Sequence, residues 1–473
     1  MFSTLSAPAA RRRGAARLAA VTLASGIVVA GTVATAGTAV AEEAPQSPGG
    51  ATATSGGLKT YGAAVVREDG EELPLSAGLF EMSVEGGGTL HTYCVDLYTP
   101  TQRDARYQET PWSGTSLSGN EDAGKIRWIL RNSYPKVNDL AALADRAGAA
   151  GLTEQDAAAG TQVAIWRYSD GADVSAVNPR AEKLADYLED SARTLAEPKA
   201  SLTLDPPAVS GRAGERLGPV TVHTDADSVT VTPPADAVAD GVRVVGEDGE
   251  AVTTARDGSE LYFDVPEDAA DGSAALTVQA STTVPVGRAF ASETRSQTQI
   301  LAGSSESTVS ATATANWATT GAVPALSAEK NCAEGGVDIT AANHGDEPFT
   351  FELVGTEHTV AAGATETVTV PVQEDQAYDF TITGPNGFEQ RFRGVLDCAT
   401  ATETRAGEDG TTVQTLDEPT PVTAAAPVGG GTDLAETGSS GATVLIGGAA
   451  IGLVVIGGAA LILVGRKKAP AQE

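Results

Sequence analysis

The apolar residues change period along the chain, and that change limits the possible folds more than any other feature. From Leu73 to Val84 and from Thr89 to Tyr98 the runs look like strands. Between about residue 120 and residue 198 the spacing becomes helical. Ile126, Ile129 and Leu130 fall on one helix face after a possible cap at Asn120. Asn138 opens a second, Ala-rich helical stretch. Thr153 with Asp156 has the form of a capping box for a third, running to about Tyr168. Asn178-Pro179 starts a fourth, with Leu184, Tyr187, Leu188 and Leu195 on one side. After about residue 200 the period shortens again. Val220 to His223, Ser228 to Val231, Leu261 to Val265 and Ala275 to Ala280 are separated by Gly, Pro and Asp. Further runs at Val337 to Ile339, Phe349 to Leu353, Glu366 to Val370 and Tyr378 to Ile382 follow an Ala318 to Ala325 linker. The expectation is a multidomain chain: an α+β domain over 58–198, then two all-β immunoglobulin-like sandwich modules over 200–317 and 326–399. A leader at 42–57 and a stalk at 400–433 have no apolar period and are expected to be disordered.

The ends carry addresses. Arg11, Arg12, Arg13 and Arg17 precede an apolar stretch and the small-x-small sequence Ala39-Val40-Ala41, which makes 1–41 a secretory signal peptide. At the other end an uncharged run at 441–465, rich in Val, Ile, Leu, Ala and Gly, is long enough to span a bilayer as a transmembrane helix. Arg466, Lys467 and Lys468 begin a basic cytoplasmic tail at 466–473. Just before the span, 434–438 reads Leu434-Ala435-Glu436-Thr437-Gly438. This pentapeptide resembles a sortase sorting signal of the LAxTG form, with Ala435 where Pro is commoner. The resemblance implies cleavage between Thr437 and Gly438 and transfer of Thr437 to cell-wall peptidoglycan. The partners it implies are sortase, the wall and, before sorting, the membrane. The location it implies is the extracellular surface of a Gram-positive bacterium.

The precursor has a net charge of −31. Four arginines lie in the signal and three basic residues in the tail, with Glu473 beside them. The segment from Glu42 to Thr437 therefore holds 24 basic and 61 acidic residues, a net −37. Such a chain repels phosphate backbones, so no nucleic-acid partner is expected. The four histidines are scattered and no Cys/His spacing fits zinc, so no metal or cofactor is expected.

Three cysteines leave an odd one. Cys332 and Cys398 bracket the last module, and in an oxidising space they are expected to pair. Closing that loop is worth about 4 kcal/mol in the chain-entropy model. The alternative, one of them pairing with Cys94, would tie distant ends of the chain together. Cys94 sits in Thr92-Tyr93-Cys94-Val95-Asp96 on a strand, and Thr161-Gln162-Val163-Ala164-Ile165-Trp166 follows on a helix. Gln162 shares its helix face with Ala158, Ile165 and Trp166, an apolar setting for an amide. His91 is three positions from Cys94 and points to the other strand face, so it gives Cys94 no base. That argues against a cysteine hydrolase, and no turnover enzyme is expected.

The two motifs together resemble the bacterial Cys-Gln thioester domain, also called the TQxA domain, over about 58–198. The resemblance implies a bond from the Cys94 sulfur to the Gln162 side-chain carbonyl, with loss of ammonia. It also implies attack on that bond by an amine, such as a lysine of a target protein or surface, so that a surface adhesin becomes covalently attached. Asp96, two residues from Cys94, is a candidate proton acceptor, and Thr161 a candidate support for local geometry. The competing expectation is a non-covalent stalk or ligand-binding protein with no thioester. Methylamine separates the two.

Overall fold

The computed structural model describes residues 48–233 and 241–400, and the backbone of 415–416. The signal peptide, the sorting motif with Thr437 and Gly438, the 441–465 span and almost all of the stalk lie outside the described residues. Among the described residues, no helix is long and apolar enough to cross a membrane.

The first unit is a closed ring of strands with helices on one side. Its strands are β1 (Thr52–Glu68), β2 (Glu71–Val84), β3 (Thr89–Cys94), β4 (Thr101–Gln102), β5 (Arg106–Thr110) and β6 (Val174–Ala176). Its helices are α1 (Ala123–Asn132), α2 (Leu140–Ala147), α3 (Glu154–Ser169) and α4 (Pro179–Ser191). Residues 52–57, expected in the leader, are the start of β1, where Thr52 to Thr54 pair with β5 and the strand also pairs with β2 from Ala53 onward. A short run of small residues lacks a visible apolar period, but Ala51 and Ala53 are fully buried. Asn120 caps no helix; α1 starts after Asp122, and the Asn120 side chain donates to the carbonyls of Tyr168 and Ser169 at 3.0 Å each.

After α4 the chain leaves to build a second unit. It is made of β7 (Leu202–Asp205), β8 (Ala208–Arg212), β9 (Arg216–Thr224), β10 (Val229–Thr232), β11 (Arg243–Val245), β12 (Thr254–Ala255), β13 (Glu260–Asp264) and β14 (Gly272–Thr283). It then comes back. β15 (Ala289–Ser292) and β16 (Gln299–Ser304) join the first sheet, and β17 (Glu306–Ala318) returns to pair with β14 and β8. The first sheet runs β2-β3-β16-β15-β5-β1, and β1 also pairs with β2, so the ring closes. The sequence pattern puts 289–304 in the 200–317 module; by hydrogen bonding these residues belong to the first sheet. Alternation along β16 explains the position. Ile300 and Ala302 face the helical core, while Leu301 joins the core shared with the second unit's five- and four-stranded sheets.

The third unit holds β18 (Pro324–Asn331), β19 (Gly336–Asn343), β20 (Phe349–Leu353), β21 (Thr356–Val360), β22 (Thr365–Pro371), β23 (Ala377–Thr383) and β24 (Glu389–Val395). Val337, Ile339, Phe349, Phe351 and Val360 form its core. Cys332 and Cys398 are joined across it by a disulfide. Beyond it, the backbone of β25 (Thr415–Leu416) pairs in parallel with β4.

Candidate functional site

Cys94 is the last residue of β3, and Gln162 lies midway along α3; both are fully buried. Helix α3 starts at a complete capping box, Thr153 with Asp156. From Asp156 to Trp166 every residue is buried, so α3 is a central helix wrapped on all sides and not an amphipathic surface one. Gly160 allows this wrapping: a Cβ there would lie 2.4 Å from the Ala181 carbonyl oxygen of α4. The result is that Gln162 points at the end of β3.

The two ends of the Gln162 carboxamide are held by one residue. The Cys94 N–H donates to Gln162 Oε1 at 2.9 Å, and Gln162 Nε2 donates to the Cys94 carbonyl at 2.9 Å. No water has to satisfy this amide. Around the sulfur, Thr101 Oγ1 lies 3.5 Å from Cys94 Sγ, and Gln299 Nε2 donates to it at 3.4 Å. The same Nε2 donates to Thr101 Oγ1 at 2.8 Å, and Gln299 Oε1 accepts from Thr92 Oγ1 at 3.0 Å. Burial pushes the Cys94 thiol up to about 12. The hydrogen bonds from Thr101 and Gln299 pull it down, and the charges of Asp96 and Asp170 push it up further.

Asp96 lies beyond the end of β3. Its Oδ1 accepts from the N–H groups of Tyr98 and Thr99 at 2.8 and 3.2 Å, and its Oδ2 accepts from Thr99 Oγ1 at 2.5 Å. It thus caps the turn that follows Cys94. Thr161 donates back to the Ala157 carbonyl at 2.7 Å and meets Ser133 Oγ at 2.6 Å, which ties α3 to the end of α1. The Trp112 indole N–H donates to the Gly287 carbonyl, just before β15. Cys332 and Cys398 are bonded to each other in the third unit, and neither pairs with Cys94.

Three neighbours have no counterpart in the sequence motifs. Asp170 ends α3, accepts from the Leu97 N–H at 3.1 Å and from Ser169 Oγ at 2.6 Å, and is raised to about 8 by burial and then by Asp96. Asp397, next to Cys398, accepts from Thr298 Oγ1 at 3.0 Å. Burial raises its carboxyl and Asp96 raises it further, while Thr298 and Lys330 oppose the shift. Gln299 is the third, and its only sequence signal is a polar residue opening the apolar run Ile300-Leu301-Ala302. Among the described residues, no group of three or more His, Cys, Asp or Glu could hold a metal ion.

Parts of the chain are similar to known proteins. Residues 91–194 match the family model described as Thioester domain. Residues 318–395 match the model described as Bacterial phospholipase C, C-terminal domain. Among solved structures, the Bacillus anthracis TIE protein is 15% identical, covering 74% of this chain and 81% of its own, with a TM-score of 0.26. The thioester domain of the Enterococcus faecium TIE86 protein is also 15% identical, covering 59% of this chain and 99% of its own, with a TM-score of 0.27. The N-terminal thioester domain of a Clostridium perfringens surface protein is 17% identical, covering 31% and 89%, with a TM-score of 0.19. TM-scores this low mean that the whole chains superpose poorly. No curated protein matches the chain.

Proposed function

We propose that this chain is a surface adhesin carrying an internal thioester between Cys94 and Gln162, which a target amine opens to leave a covalent attachment. The observation that carries the reading is the buried Gln162 carboxamide held by both backbone groups of Cys94. In the forming step, Cys94 Sγ attacks Gln162 Cδ. A C–S bond forms, the C–N bond breaks, and the thiol proton leaves with the nitrogen as ammonia. The Cys94 N–H already points at Gln162 Oε1, the oxygen on which negative charge develops. An amide is a poor electrophile, and fixed geometry in a dry site supplies the effective molarity the reaction needs. In the opening step an amine nitrogen attacks the same carbon, the C–S bond breaks, and Cys94 leaves as the thiol. Each chain reacts once, so it is a binder and not a turnover enzyme.

The addresses at the ends fit this role. After export, sortase transfers Thr437 to the peptidoglycan, and the 441–465 span holds the chain in the membrane until then. The folded units precede the sorting signal in the chain, so the reactive site stands on the outer side of the anchor point. The reactive partner is an amine, such as a lysine side chain, on another protein or surface.

One measurement tests the whole reading: the intact mass of chain released from the wall, with and without methylamine. The expected species starts after Ala41, carries a wall fragment on Thr437 and is lighter by one ammonia than that composition requires. Methylamine adds once at Gln162 and liberates one thiol, and Cys94→Ala abolishes the loss of ammonia. A wild-type chain of full mass with an unmodified thiol refutes the thioester and leaves the non-covalent stalk.

A further inference from the structure

The matched Thioester domain segment ends at residue 194, yet the sulfur of Cys94 is contacted by a side chain 205 residues further along the chain than Cys94 itself. Gln299 opens β16 and pairs in register with Cys94 of β3, so both residues sit side by side on adjacent strands. Its side chain is fully buried and its two ends have separate tasks. Oε1 is held by the Thr92 hydroxyl at 3.0 Å, and this fixes the amide plane. The other end, Nε2, is thereby aimed at Cys94 Sγ and Thr101 Oγ1, at 3.4 and 2.8 Å. A buried sulfur without donors strongly resists carrying charge.

We propose that Gln299 is a catalytic residue of the thioester, the hydrogen-bond donor to the leaving sulfur. The inference rests on the thioester reading above and adds a residue to it. When an amine attacks Gln162 Cδ, the new C–N bond forms and the C–S electron pair passes to Sγ. Gln299 Nε2–H stabilises that developing thiolate, and Thr101 Oγ1 acts beside it as the second donor. The proton lost by the attacking nitrogen ends on the sulfur. The same contact assists the reverse sense, formation, by favouring the thiolate that attacks. The site is therefore complete only once the chain has returned from the second unit.

The test uses the full ectodomain with Gln299→Met, which keeps side-chain length and removes the donor, and with Gln299→Glu, which keeps the shape. Gln297→Met is the control. Gln297 is also fully buried, two residues away, and its amide makes no hydrogen bond within the protein. Two readouts are taken: the rate of methylamine incorporation and, on the methylamine-treated protein, the rate of alkylation of the freed Cys94 thiol at pH 8. Loss of a hydrogen bond to a developing charge predicts opening slower by on the order of 10- to 100-fold in Gln299→Met. At pH 8, well below the titration of the thiol, its alkylation should slow by about tenfold, as expected for loss of a hydrogen bond to a charged group. Gln297→Met should match wild type in both. Opening and alkylation both at the wild-type rate in Gln299→Met or Gln299→Glu overturn the proposal. If wild type retains its full mass, the thioester reading fails by itself. The alkylation arm then still decides whether Gln299 stabilises the thiolate.

Discussion

Two opposing effects meet on the Cys94 sulfur. Burial and the nearby carboxylates disfavour its charged form, while Thr101 and Gln299 favour it. A similar contest at Asp170 can be tested separately. Its folded carboxyl titrates at about 8, against an ordinary value of 3.8. Between those values the folded chain keeps a proton that the unfolded chain has lost, so stability falls as pH rises through that window. Asp170→Asn should flatten this fall and stabilise the chain at pH 8 by at least ~1 kcal/mol, because even a tenfold difference in proton affinity between the folded and unfolded chains corresponds to that much. The acceptor for the Leu97 N–H remains in the variant. Thermal unfolding at pH 5 and pH 8 measures it, and equal losses in both proteins across the range would refute it. Cys94 and Gln162 were legible in the sequence because each lies in a compact local motif. Gln299 and Asp397 were not, because strand pairing and docking bring them in from more than 200 residues away, and no local pattern records that.

Helix α3 shows how an element can be legible at its start and opaque in its surroundings. The Thr153 and Asp156 box marked its N-terminus, and Asn178 with Pro179 marked that of α4. What the spacing could not reveal was that α3 is buried on every side, because an all-round apolar helix has no preferred face. Its contact with α4 depends on a missing side chain at Gly160. Replacing Gly160 by Ala would gain about 1 kcal/mol of helix propensity. The added Cβ would press on the Ala181 carbonyl, a backbone atom that cannot rotate away. Overpacking of this kind costs typically about 1–3 kcal/mol, so Gly160→Ala should be destabilising on balance. It should also push α3, and with it Gln162, out of line with Cys94. The fraction of chains lacking ammonia should fall, and a variant with wild-type stability and a full complement of thioester would contradict this packing argument. The strands of the first sheet were half legible: β2 and β3 follow from their runs, while β15 and β16 fall within the span of the next module. Their apolar character fits either sheet, and only long-range pairing decides.

At the scale of the molecule, the first two units share a core, and a buried ion pair gathers the points where the chain leaves the first unit and comes back to it. Glu109 of β5 accepts from the Arg288 side chain at 2.9 Å, from the Ser201 N–H at 2.9 Å, from the Ser201 hydroxyl, and from the Ala51 N–H at 3.1 Å. Both charged side chains are almost fully buried, at 4% and 1% exposure. The carboxylate thereby joins the start of β1, the exit from α4 and the return into β15. Glu109→Gln removes the buried charge facing Arg288 and leaves it the partly exposed Glu197 at 2.7 Å, so the change should cost about 1.5–3 kcal/mol, the range for hydrogen bonds to charged groups. A single cooperative transition that moves down intact is expected on denaturant unfolding. A separate early transition of the second unit alone would show that the two units are not coupled there. The interrupted order of the first sheet also sets a timetable. As synthesis proceeds from the N-terminus, β3 emerges long before its neighbour β16. At roughly 5–20 residues per second the 205 residues between Cys94 and Gln299 take about 10–40 s. Throughout that interval the sulfur lacks its strand partner and the ring cannot close. On the thioester reading, reactivity thus arrives late, after most of the chain is made, and a molecule interrupted before residue 299 would lack both the strand partner and the donor that assist it.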